Sequence, residues 1–74
     1  ISALGIVIYP NPTKDIITIE TRLNIEIELY DVMGKKLIEE KNIKHLDLSH
    51  LSNGIYNLTI IHKGVRYSKK VIKQ

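Results

Sequence analysis

Apolar residues recur at nearly every second position in this chain, and the alternation breaks at clusters of Pro, Gly, Asn and Asp. A period of two puts successive side chains on opposite faces, so the pattern demands strands with one face buried. Ile25, Ile27 and Leu29 alternate with Glu26, Glu28 and Tyr30, which predicts a half-buried strand with an acidic outer face. Tyr56, Leu58 and Ile60 alternate with Asn57, Thr59 and Ile61 in the same way. Ile6 and Ile8, Ile17 and Ile19, and Leu46 and Leu48 give shorter versions. No segment of helical length carries the helical period, although Asp47–Leu51 has the length of one helical turn.

Turn chemistry separates the runs. Pro10 and Pro12 restrict Tyr9 and Asn11 to extended conformations and cannot donate to a ladder, so they form a rigid corner after the first strand. Two prolines are too few for a polyproline ligand. Asp31-Val32-Met33-Gly34 links two strands, with Gly34 free to take positive φ and Asp31 able to accept from the backbone two residues on. Asn53-Gly54 marks a turn before the strand at Ile55, and Lys63-Gly64 closes a last hairpin between Ile55–His62 and Val65–Ile72. About seven short strands at roughly 8–12-residue spacing predict a β-sandwich or barrel.

At 74 residues the chain is one domain with no cysteine. A chain this short buries only about 60% of the surface its unfolded form exposes. Its core rarely supplies more than roughly 3–5 kcal/mol without a staple, and disulfides are excluded here. The sequence begins at Ile1, and its only Met is Met33, so a processed or partial chain is expected, with Ile1–Gly5 as a linker remnant before a domain spanning 6–74. Neither a signal peptide nor an apolar span is present.

The net charge of +3 is unevenly spread. Residues 1–32 hold two basic and five acidic groups, a balance of −3, whereas residues 33–74 hold nine basic and three acidic, a balance of +6. From Ile61 onward there are five basic residues and no acid. Such polarity marks a docking surface, or an edge strand kept soluble by lysine.

None of the motifs assembles a catalytic centre. His45, His50 and His62 are spread over separate turns, while a structural zinc needs four converging ligands. Asp47, Ser49 and His50 have the residue types of a hydrolase triad, but three residues in one short turn cannot supply its geometry, and Asp47 and Ser49 are better placed to bond local backbone. A domain this small has little room for a pocket beside its core. The chain is therefore read as a non-enzyme without metal or cofactor. Nucleic-acid binding would call for stacking aromatics, and Tyr67 is the only aromatic in the basic tail. Asn57-Leu58-Thr59 matches a glycosylation sequon inside a predicted strand, where no acceptor loop is expected. An adhesive or carbohydrate-binding sandwich would need a platform of exposed aromatics. With Tyr9 and Tyr56 expected in the core, only Tyr30 and Tyr67 remain for one.

Four segments in fixed order carry a family resemblance: Tyr9-Pro10-Asn11-Pro12-Thr13, Leu29–Lys35, Leu48–Leu58 and Lys70-Val71-Ile72. Together they resemble the type A C-terminal sorting domain of the Bacteroidetes type IX secretion system, over about Ile6 to Gln74. Pro10, Asn11 and Pro12 match that family's first corner, and Asp31, Gly34 and Lys35 its central hairpin. Leu51, Gly54, Tyr56 and Leu58 match the approach to its penultimate strand. Lys70, Val71 and Ile72 match its terminal strand, while Lys73 departs from the apolar residue common there. The resemblance implies an all-β, seven-stranded immunoglobulin-like β-sandwich at the C-terminus of an exported protein. It implies a cargo domain on the N-terminal side, transit through the periplasm, and recognition by an outer-membrane shuttle and translocon. It also implies cleavage by a sortase-like protease, and a cell-surface or extracellular destination. Lys69, Lys70, Val71, Ile72 and Lys73 are the expected recognition residues, and β-augmentation of a terminal edge is the expected mode. An edge-strand dimer is a further partner the pattern allows. Ile17, Ile27, Leu29, Leu51, Tyr56, Leu58 and Ile60 are the expected core.

Overall fold

A computed structural model describes residues 4–74, so most of the expected linker remnant (residues 1–3) lies outside the described residues. Seven strands follow one another: β1 (Val7–Tyr9), β2 (Ile16–Glu20), β3 (Glu26–Tyr30), β4 (Lys36–Lys41), β5 (His45–Asp47), β6 (Gly54–His62) and β7 (Val65–Lys73). They form two antiparallel sheets, ordered β1-β2-β5 and β4-β3-β6-β7, packed face to face as a sandwich.

The registers account for the core. In the four-stranded sheet Leu29 faces Leu58, Ile27 faces Ile60, and Tyr56 faces Val71. In the smaller sheet Ile8 faces Ile19, and Ile17 faces Leu46. Ile17, Ile27, Leu29, Leu58, Ile60 and Val71 are fully buried between the sheets. Of the expected core, Leu51 is only partly buried, because it lies in the loop before β6 and packs on the core from its rim. Tyr9 corrects the expectation outright. It is 44% exposed, since its register partner Thr18 belongs to the outer face of the small sheet, and its hydroxyl donates to Glu20 at 3.0 Å. Tyr56 is buried as expected, with its hydroxyl donating to the Ser52 carbonyl at 2.6 Å.

The turns form for the reasons their residues suggest. Asp31 Oδ1 accepts from the amides of Met33 and Lys35, both at 2.9 Å, and Gly34 sits at φ 85°. The β6–β7 hairpin has a two-residue loop in which Lys63 (φ 51°) and Gly64 (φ 78°) are both left-handed. That backbone matches the twist of the strands it joins. Asp47–Leu51 is not a helix: β5 ends at Asp47, and a single turn follows, with the Leu51 amide donating to the Leu48 carbonyl at 3.0 Å.

Candidate recognition site at the terminal strand

β7 pairs with β6 along its whole length and forms one edge of the four-stranded sheet. In the two-residue hairpin, His62 and Val65 are a hydrogen-bonded pair, so odd-numbered residues of β7 turn their main-chain groups to β6. The even-numbered residues Arg66, Ser68, Lys70 and Ile72 turn theirs outward.

The proline corner covers the last part of this edge. Asn11 Nδ2 donates to the Lys70 carbonyl at 2.9 Å, and Asn11 Oδ1 accepts from the Ile72 amide at 3.0 Å. One step further on, the Thr13 amide donates to the Ile72 carbonyl at 2.8 Å and the Thr13 carbonyl accepts from the Gln74 amide at 2.9 Å. These bonds make Thr13 and Lys73 a parallel bridge. Thr13 is itself 2% exposed, and its hydroxyl donates to the Ile16 carbonyl at 2.9 Å. The corner Pro10-Asn11-Pro12 thus does more than redirect the chain: it clasps the terminal strand.

The expected recognition residues divide by parity. Lys70 is exposed, and Lys69 and Ile72 are half-buried. Val71 and Lys73 turn their side chains away from the outer surface of the sheet. Both lie on the inward face of β7; Val71 is fully buried, and Lys73 is 8% exposed with its ammonium donating to the Leu51 carbonyl at 2.6 Å. A lysine at this position is accommodated because its stem packs inward while its charged head finds a carbonyl at the rim.

The outer face of the same sheet holds a cluster that sequence reasoning missed. Glu28 is only 7% exposed, at the middle of β3, facing Glu39 on one side and Thr59 on the other. It accepts from the Tyr30 hydroxyl at 2.6 Å, from Lys36 Nζ at 3.4 Å and from Arg66, whose guanidinium reaches it from the far side of β6. Lys36 also pairs with Glu39 at 3.3 Å. The Tyr30 bond, more than the bonds from Arg66 and Lys36, holds the Glu28 carboxyl down to about 2 against the opposing cost of burial. Glu28 in turn pushes the Tyr30 phenol and Arg66 upward, and Glu39, then Glu28, does the same to Lys36, because each holds its proton next to a carboxylate. The available signal was an acidic residue central in a central strand, but it could be read only with the β3–β6–β7 register in hand.

The other candidate residues serve local structure. Asp47 Oδ1 accepts from the Ser49 amide at 2.8 Å, and the Ser49 hydroxyl, then that amide, hold its carboxyl below its usual value. His45 approaches Thr18 at 3.4 Å, His62 approaches the Asn24 carbonyl at 3.1 Å, and His50 lies in the exposed turn after β5. The four tyrosines point to different regions: Tyr9 outward from the small sheet, Tyr30 into the Glu28 cluster, Tyr56 into the core, and half-buried Tyr67 to the inward side of β7 opposite Ile60. They form no common stacking platform.

A family model described as the secretion system C-terminal sorting domain matches residues 7–74, from the first residue of β1 to the end of the chain. No curated protein matches the chain.

Proposed function

The chain belongs to the secretion system C-terminal sorting domain family, and from that premise we propose that it is a folded export tag read through its terminal strand. As a sorting signal of type IX secretion it works with that machinery and with the cargo fused to it, and it directs the cargo out across the outer membrane. The single observation that carries the reading is the family match, which takes in all seven strands rather than a short tail motif.

Finer steps follow from the same premise. The cargo crosses the periplasm, where an outer-membrane shuttle recognises the folded module and hands it to the translocon. A sortase-like protease then cuts the module from its cargo, so that this chain is the substrate of that chemistry. Of the proposed recognition residues Lys69, Lys70, Val71, Ile72 and Lys73, the side chains of Lys69, Lys70 and Ile72 are at least partly exposed, while those of Val71 and Lys73 are buried. Self-association through an edge strand is a separate reading, which sedimentation velocity over a range of concentrations checks directly.

The test is an export assay. Residues 1–74 are fused to the C-terminus of a fluorescent protein carrying a periplasmic signal, in a bacterium with an active type IX system and in a translocon-deficient strain. Fluorescence at the surface or in the medium of the active strain alone is the expected result. Retention in both strains, with the module folded, overturns the reading.

A further inference from the structure

We propose that the Arg66–Lys70 stretch of the β7 edge accepts an extended, acidic segment of a partner protein as an added strand, and that the Asn11–Thr13 clasp sets the end of that site. The inference rests on the export-tag reading and deepens it by naming the stretch and the chemistry of what it binds.

Three observations carry it. First, the outward main-chain groups of Arg66 and Ser68, and the Lys70 amide, have no bonding partner among the described residues, whereas the Lys70 carbonyl and both groups of Ile72 are taken by Asn11 and Thr13. The open stretch is therefore bounded by the Lys63-Gly64 turn at one end and by Asn11 at the other. An unpaired row of this kind is a template for one more strand.

Second, the charges around it are unanswered. Lys69 on the inward face and Lys70 on the outward face have no carboxylate within ion-pair distance among the described residues, and Lys63 stands exposed at the turn. An incoming strand would set its alternate side chains beside Lys70 on one face and Lys69 on the other. Carboxylates at those positions make favourable cross-strand pairs.

Third, the same geometry disfavours a second copy of this chain. Two β7 edges pairing antiparallel about Ser68 would set Arg66 of one opposite Lys70 of the other. Like charges directly opposite are destabilising.

The experiment uses the same fluorescent fusion with two variants. Ser68→Pro removes one outward amide and fixes an extended φ. Proline is tolerated on an edge strand where its nitrogen faces away from the ladder. Lys69→Glu/Lys70→Glu reverses the charge, and Lys14→Glu/Lys44→Glu makes the same net change at two exposed lysines elsewhere. Circular dichroism and thermal melts of the isolated chains establish folding. The expected result is loss of export, to the level of the translocon-deficient strain, for Ser68→Pro and for the Lys69/Lys70 variant, with the Lys14/Lys44 variant exported as the parent is. Normal export of a folded Ser68→Pro chain overturns the proposal. If Ser68→Pro fails to fold, the Lys69/Lys70 variant decides alone, and its normal export overturns the proposal equally. A concentration-dependent dimer of the parent that Ser68→Pro abolishes would assign the edge to a second copy and overturn it too. Failure of the parent fusion itself to be exported defeats the export-tag reading instead, so the two failures are distinguishable.

Discussion

The two halves of β7 share one register with β6 and differ in how the molecule treats their free edge. Beyond Lys70 the outward groups are bonded to Asn11 and Thr13, and the inward side chains of Val71 and Lys73 are buried. Before Lys70 the outward groups are open, and the strand is held from its face instead, by Arg66 reaching across β6 to Glu28. A sheet edge can be protected by cover or by charge, and this strand uses one in each half. The basic character of the tail matters where the cover ends.

That contrast can be broken or sharpened by substitution, and the largest effect should erase it. Leu58 is fully buried in β6, facing Leu29 on one side and Lys69 on the other. Leu58→Ala should cost about 2–5 kcal/mol, enough to unfold much of a domain this small and both halves of β7 with it. Chemical denaturation followed by circular dichroism measures it.

Asn11→Ala should instead separate the halves. It removes two hydrogen bonds to the terminal segment, a loss of about 1–3 kcal/mol, while leaving the β6–β7 ladder intact. Calorimetry gives the size of the loss. Faster exchange of the Ile72 amide, with Leu58 and Ile60 unchanged, would locate it.

The Glu28 anchor should show itself through pH. Its carboxyl is lowered from an ordinary 4.5 to about 2 in the folded chain, so the stabilisation is complete above about 4.5 and is lost as pH falls through about 2. Thermal melts between those limits should show a steep decline, and Glu28→Gln should remove most of that slope. Lys70→Ala is the smallest expected change, within about 0.5 kcal/mol, because an exposed, unpaired lysine contributes little to stability. A larger loss would mean that Lys70 is part of the fold.

Much of the sandwich was legible because alternation and turn chemistry are local. Ile27 and Leu29, Leu58 and Ile60, Asp31 with Gly34, and Lys63-Gly64 each act within a few residues of their place in the chain. The candidate site was less so. Asn11 and the terminal strand stand 59 residues apart in sequence, and nothing in a proline corner says which strand it will lie against. Arg66 and Glu28 are 38 apart and meet only through the sheet order. Tyr9 was misread because β1 turns it to the outer face, and the contact of Lys73 with the Leu51 carbonyl lay out of reach because its partner is 22 residues away in sequence.

Amide exchange along β7, measured by NMR on residues 1–74 and on the Asn11→Ala variant, tests the division of this strand most directly. Slow exchange is expected at Ile72 and Gln74 and fast exchange at Arg66, Ser68 and Lys70 in the parent chain, with Ile72 joining the fast group in the variant. Uniform protection along the even-numbered residues, or protection at Ile72 that survives loss of Asn11, would contradict it.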